Sequence, residues 1–382
     1  MQSIVVLIVF LPACIAAVTN VLVLGGNGFI GSETVHQLLE SEGDKVRLTL
    51  LNRGNSYWDS SSRITPRINP IYCSRNSITQ CDELISSKKF YDFVLDFSSY
   101  VPRNMAEIID ILTDRVGVYI YISTDSVYEV CQRKEDSSEY LREEDAVRPA
   151  SNTERRELNA RDNYGHRKLG CEELLLEQRE NGGFPYVILR LPDVIGPRDN
   201  TDRWWRYQLW IRFHVMIGQP IYMLDWMRHS PLSLVYNKDV AKIIVVIMKE
   251  SANHIDSMYN LAFSEVTTLH QLLLDMADVM QVSEPIFSPD NTVRNHFFPS
   301  VTRGPISIEK ALRQLNWQPT SLKQAIGETV EFYEQAMINP QSKEKRDAVL
   351  SDFKSVYVPA DKQDAFDKRL VEIYHHYSRD EL

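Results

Sequence analysis

Cysteine is scarce in this chain of 382 residues, with five in all and none at a spacing that would pair metal ligands. A zinc site therefore has no footing in the sequence. Positive charge is also in deficit. Forty-two Lys and Arg stand against 52 Asp and Glu, a formal net charge of −10, which argues against a surface that tracks nucleic-acid phosphates. No Asn-x-Ser/Thr acceptor occurs, so glycosylation gives no information about compartment. There is no internal repeat. The one long apolar run, ending at Val18, falls short of the roughly 20 residues that a membrane-spanning helix needs. No Lys or Arg precedes that run.

The run itself is informative. Residues 4–11 read IVVLIVFL, and Pro12 and the small residues of ACIAA follow. This is the pattern of a secretory leader covering residues 1–17, cut near Ala16 or Ala17; the alternative is an extended first strand. The chain ends Arg379-Asp380-Glu381-Leu382, one residue away from the K-D-E-L retrieval address. Leader and tail together predict the lumen of the endoplasmic reticulum. Four cysteines remain after cleavage: Cys73, Cys81, Cys131 and Cys171. In an oxidising lumen Cys73 and Cys81 would close a short loop, and buried free thiols are the other reading.

The rest is organised around residues 21–31, VLVLGGNGFIG. Val21 to Leu24 predict a strand buried on both faces, and Ser32 to Glu40 an amphipathic helix. Gly25, Gly28 and Gly31 lie between them. Such a turn leaves backbone N–H groups bare at a helix N-terminus, where the partial positive charge favours a pyrophosphate. The spacing marks Gly25, Gly28, Phe29, Ile30 and Gly31 as dinucleotide-binding; a purely structural left-handed turn is the competing reading.

Further strands are predicted at 46–51, 71–73, 93–97, 118–122 and 186–191, with helices at 77–88, 104–113 and 164–178. Residues 55–70 read as loop and 132–162 as a charged surface excursion. The β–α alternation predicts an α/β fold, a doubly wound parallel sheet of Rossmann type over residues 18–195. A smaller, mostly helical lobe is expected over 196–337, interleaved with the sheet, and a helical tail over 338–382. The second strand ends Asn52-Arg53-Gly54. An acidic residue there would bind a ribose 2′-hydroxyl, whereas an Arg accommodates a 2′-phosphate. Asn52 and Arg53 thus favour NADP over NAD as the cofactor.

Downstream lie YIYISTDSVY (119–128), Tyr164-Gly-His-Arg-Lys168 and RLPDVIGPR (190–198). Tyr164 and Lys168 fall four apart on one helical face. A phenol is a poor base at neutral pH, and a neighbouring ammonium lowers its pKa toward the working range. Thr124 adds a hydroxyl for the same substrate oxygen.

With these motifs in this order the chain resembles the extended short-chain dehydrogenase/reductase superfamily, the nucleotide-sugar epimerases and dehydratases, over about residues 19–337. LSLVYNKDVA (232–241) and the segment 308–333 add to the likeness. The resemblance implies hydride transfer between a sugar or alcohol carbon and a nicotinamide. Thr124, Tyr164 and Lys168 match the catalytic positions, with Lys168 also on the nicotinamide ribose. It further implies a nucleotide-sugar substrate and a homodimer formed through two helices. Arg198, Arg203, Arg206 and Arg212 fall where relatives hold a nucleotide diphosphate, so they would clamp a pyrophosphate or form salt bridges. The nearby tryptophans would stack on a base or fill the lobe's core. Asp125 is a candidate substrate acid or a cap of its loop.

Departures narrow the expectation. Asp96-Phe97-Ser98-Ser99-Tyr100 replaces the family's His-x-Ala-Ala, and Thr124-Asp125-Ser126 lacks the glutamate of dehydratases, so dehydration is not expected. These features are similar to an atypical branch that includes the chloroplast stem-loop-binding proteins. The alternative to an oxidoreductase or epimerase is therefore a catalytically idle cofactor-holding scaffold, with RNA as a partner disfavoured by charge.

Overall fold

The computed structural model describes residues 18–133, 140–290, 292–294 and 297–374. The expected leader and the Arg379–Leu382 address lie outside the described residues.

The strands are β1 (Thr19–Leu24), β2 (Val46–Asn52), β3 (Asn69–Tyr72), β4 (Tyr91–Asp96), β5 (Val116–Thr124), β6 (Tyr186–Leu191), β7 (Asp193–Ile195), β8 (Ile221–Tyr222), β9 (Leu234–Tyr236), β10 (Ser257–Asn260) and β11 (Phe287–Ser288). Seven form one sheet in the order β10-β6-β5-β4-β1-β2-β3, and all its pairings are parallel. Val21 to Leu24 are fully buried because both faces are covered. Val21 and Val23 join one core with helices α1 (Phe29–Glu42) and, from further along the chain, the helix over 237–249. Leu22 and Leu24 join the opposite core.

The second face is covered by Leu84, Met105, Ile108, Leu112, Cys171 and Leu175 of the intervening helices. After α2 (Ser60–Arg63) come α3 (Asp82–Ser86), α4 (Pro102–Leu112), α5 (Asn152–Arg161) and α6 (Asn163–Glu180). Two local expectations are corrected here. The loop over 55–70 contains the single turn α2, and the helix expected over 77–88 is a 3-10 stretch, Arg75–Gln80, followed by the short α3. Ser77 breaks the helical geometry and a Cys73–Cys81 disulfide closes the segment. Cys131 and Cys171 are buried free thiols.

The second layer is built by α7 (Arg203–Ile217), α8 (Asp225–His229), α10 (Leu269–Val279), α12 (Leu322–Ile338), α13 (Lys343–Tyr357) and α14 (Gln363–Tyr374), while α9 (Asn237–Lys249) and α11 (Glu309–Gln314) return to the sheet. Trp204, Trp205 and Trp210 fill the lobe's core, whereas Trp226 is partly exposed. Phe353, Tyr357, Phe366 and Leu370 of α13 and α14 are buried in that same core. Among the described residues no helix is long and apolar enough to cross a membrane, and no cluster could hold a metal.

Candidate active site

The sheet order reverses between β4 and β1, and ligands of open parallel sheets sit in the crevice at the carboxyl ends of strands flanking such a switch. The glycine turn occupies that point. Gly25 takes φ +84°, and a Cβ there would lie 3.0 Å from Ser98 at the end of β4. A Cβ on Gly31 would run into the Gly25 carbonyl, which is why the helix can start so close to the strand. Gly28 caps α1 without a side chain, and the first turn holds no acidic residue. The amides of Phe29, Ile30 and Gly31 therefore meet no capping side chain or local carboxylate, which fits an anion such as a dinucleotide's pyrophosphate.

At the end of β2, Asn52 accepts the Gly54 amide at 2.7 Å. This Asx turn points the chain so that Arg53 is exposed, with no ion-pair partner among the described residues. Beyond β4, Asp96 is fully buried and accepts the Ser98 and Ser99 amides and the Tyr119 hydroxyl at 2.8, 2.9 and 2.6 Å. Arg75, carried by the disulfide-closed segment, lies 3.6 Å from Asp96 and donates to the Ser99 hydroxyl and the Asn104 carbonyl. Burial acts to raise the Asp96 pKa, yet Arg75 and these hydrogen bonds outweigh it and hold the carboxyl below its usual range.

Helix α6 brings in the two residues singled out for proton transfer. Its cap is Asp162, which accepts the Gly165 amide at 2.8 Å. Gly165 is required, because a Cβ would collide with the Ser126 carbonyl. Lys168 is 3% exposed and donates to the carbonyls of Ser99 (3.1 Å) and Ile122 (2.7 Å), with its ammonium 4.2 Å from the Tyr121 ring centroid. Burial pulls its pKa down to about 8, against the fields of Cys171, Asp96 and Glu172. Tyr164 is 46% exposed. Desolvation, Tyr100 and Asp125 raise the phenol's pKa, and the neighbouring Thr124 hydroxyl opposes them. A Cβ on Gly25 would crowd Ser98, and the adjacent Ser99 carbonyl receives Lys168, so the turn and the helix meet at the end of β4.

Thr124 also accepts the Ser126 amide at 3.2 Å, capping the 3-10 turn Asp125–Val130. Asp125 is 4% exposed, and burial with the charge of Asp193 raises its pKa well above the usual carboxylate value. The arginines after β6 are each engaged within the chain. Arg198 bonds Asp59 at 2.7 Å and lies 3.4 Å from Glu33, Arg203 meets Asp193 at 2.6 Å, Arg206 meets Asp352 at 2.8 Å and Arg212 meets Glu334 at 2.9 Å. A substrate clamp built from them would first have to break these pairs.

Sequence reasoning missed three participants. Tyr100, 55% exposed, has its ring 5.6 Å from the Lys168 ammonium. Glu172 and Arg190 form a buried pair, 2.7 Å apart, that also binds the Ser123 hydroxyl at 2.5 Å. An arginine inside the apolar strand VILRL, and a glutamate one turn after Lys168, were the available signals.

Comparison with known proteins agrees with this fold. No curated protein matches the chain. Among solved structures, UDP-glucose 4-epimerase of Thermotoga maritima with UDP-glucose is 19% identical, covering 84% of this chain and 100% of that one at a TM-score of 0.63. The dTDP-glucose 4,6-dehydratase of Bacillus anthracis with NAD is 17% identical, covering 83% and 97%, also at 0.63. UDP-N-acetylglucosamine 4-epimerase of Methanobrevibacter ruminantium, in complex with UDP-N-acetylmuramic acid, is 18% identical over 84% and 99%, again at 0.63. At these identities the likeness concerns the fold. The description of the NAD dependent epimerase/dehydratase family matches residues 21–262, well over half of the chain, and the chain belongs to that family.

Proposed function

We propose that this protein is an NAD(P)-dependent oxidoreductase or epimerase-like enzyme that moves a hydride at a sugar or alcohol carbon, with Tyr164 as the acid/base. The observation that carries the reading is the meeting of turn and helix at the end of β4, where Gly25 lies against Ser98 while the adjacent Ser99 carbonyl holds Lys168. A bound nicotinamide supplies the hydride acceptor or donor. The bare first turn of α1 holds the pyrophosphate, and Arg53 favours a 2′-phosphate and hence NADP.

Tyr164 takes the carbinol proton at its phenol oxygen, or returns it, while Thr124 orients the same substrate oxygen. Lys168, one turn along, is the cation we assign to steadying the phenolate as the proton leaves. The absence of a glutamate after Asp125 sets dehydration aside. Nucleotide sugars are the substrate class to test first, because neighbours in fold carry them. The leader and tail lead us to place the enzyme in the endoplasmic reticulum lumen, and the Cys73–Cys81 disulfide suits an oxidising compartment.

The test is turnover of NADP or NADPH with a panel of UDP-sugars, free sugars and alcohols. Tyr164→Phe is expected to lower kcat by about 10²–10⁴-fold with little change in NADPH affinity. Turnover that survives this substitution would defeat the assignment of Tyr164. A wild-type chain that binds NADPH and turns over nothing would favour the idle scaffold.

A further inference from the structure

The stretch Asp96-Phe97-Ser98-Ser99-Tyr100, which departs from the family's His-x-Ala-Ala, has no part in the mechanism above. Its Asp96 is wholly buried and turns its bonds back onto that stretch. Oδ1 accepts the Ser98 and Ser99 amides, and Oδ2 accepts the Ser99 and Tyr119 hydroxyls. An ionised carboxylate suits this, being an acceptor only. The counter-charge is the buried Arg75, on the segment closed by the Cys73–Cys81 disulfide. A single nitrogen, Nη2, lies 3.6 Å from Asp96 and donates to the Ser99 hydroxyl at 2.5 Å and to the Asn104 carbonyl at 2.8 Å.

Ser99 is thereby fixed through its amide and its hydroxyl. Its carbonyl is turned to accept the Tyr121 hydroxyl at 2.8 Å and the Lys168 ammonium at 3.1 Å. Lysine is a point charge on a flexible stem, so where its ammonium rests depends on where that carbonyl is held. A buried ion pair seldom stabilises a fold better than apolar residues of like volume. What Arg75 and Asp96 supply that apolar residues could not is a defined direction for the Ser99 peptide.

We propose that Arg75 and Asp96 are positioning residues for the proton transfer: together they fix the Ser99 peptide whose carbonyl holds the Lys168 ammonium, one helical turn from Tyr164. The proposal rests on the reading that Lys168 serves Tyr164. Electrostatics point the same way. Burial lowers the Lys168 pKa, while Cys171, Asp96 and Glu172 oppose it, and the rings of Tyr121 and Tyr100 also face the ammonium. Glu172 is already paired with Arg190. Removing the Asp96 charge therefore moves Lys168 further down.

The experiment follows Lys168 itself, by NMR of the full chain labelled at lysine Cε, with its resonance assigned by loss in Lys168→Arg. Asp96→Asn is expected to lower the Lys168 pKa by about one pH unit and to carry the alkaline limb of kcat with it. Arg75→Met is expected to move the resonance and lower kcat about 10–10²-fold, with NADPH affinity little changed. Arg75→Lys should restore both, because one ammonium can stand in for the single nitrogen that makes the contacts. Where Asp96→Asn does not fold, Ser99→Ala removes only the hydroxyl that Arg75 and Asp96 share and is expected to move the resonance. Leu350→Ala, in the lobe's core, should lose stability and leave the resonance and the pH profile in place. A Lys168 resonance indifferent to Arg75 and Asp96, a kcat as low in Arg75→Lys as in Arg75→Met, or an equal response to Leu350→Ala would each overturn the proposal. If Lys168 responds as expected and no substrate is turned over, the enzyme reading fails and the network stands. If turnover depends on Tyr164 and Lys168 ignores the pair, the reverse holds.

Discussion

Lys168 shows how one side chain ties stability and chemistry together. Its ammonium is buried, held by two backbone carbonyls, and its pKa is brought down to about 8. A base whose folded pKa is lowered is charged below that value and neutral above it. The charge that the proposed mechanism assigns to Lys168 is therefore present at neutral pH and lost as pH rises through about 8. The pH profile of kcat is expected to fall above that point, and a profile still climbing at pH 9.5 would remove Lys168 from the mechanism. Arg53 carries the second expectation at this scale. Arg53→Ala should weaken NADPH binding about tenfold, ~1.4 kcal/mol, and leave NADH binding unchanged, as read by fluorescence titration. Both positions stood out in the sequence because each lies at a fixed offset from a strand or helix end. That Arg198 would form salt bridges was one of the two readings offered, but its partners were not legible. Arg198 meets Glu33 and Asp59 across 165 and 139 residues of chain, and no local pattern encodes a pairing of that range.

Among the elements, β1, the turn and α1 were readable because a strand buried on both faces and three glycines leave little choice of conformation. The segment between β3 and β4 was not, because its shape comes from a covalent bond and from Arg75. The Cys73–Cys81 disulfide spans a separation of 8 residues and presents Arg75 to Asp96 and Ser99. Cys73→Ser/Cys81→Ser is expected to cost about 2–3 kcal/mol of stability, measured by urea unfolding, and to remove any effect of a dithiol reductant on the midpoint. Helix α6 is the other element whose setting needed the structure. Glu172 pairs with Arg190 one turn past Lys168, so the rotation that aims Lys168 at Ser99 is locked from β6. Taking one partner out of such a buried pair costs about 3–5 kcal/mol.

For the molecule as a whole, the sheet cannot be completed by its first half. Strand β6 takes β10 as its outer neighbour, and α1's face of the sheet is closed by Val240, Ile243, Ile244 and Ile247 of α9. A fragment ending at residue 195 would expose an open strand edge and an apolar face. Expressed alone, it is expected to aggregate or to lack near-ultraviolet circular dichroism, whereas the full chain shows a cooperative unfolding transition. The same weaving bears on movement. The chain leaves the sheet after β6, returns at α9, departs again for α10, comes back at α11 and leaves finally for α12. Any rotation that parts the two layers must twist all of these connections together, so the halves can rock only through small angles about a common line. Whatever enters between the layers must then fit an opening that barely widens.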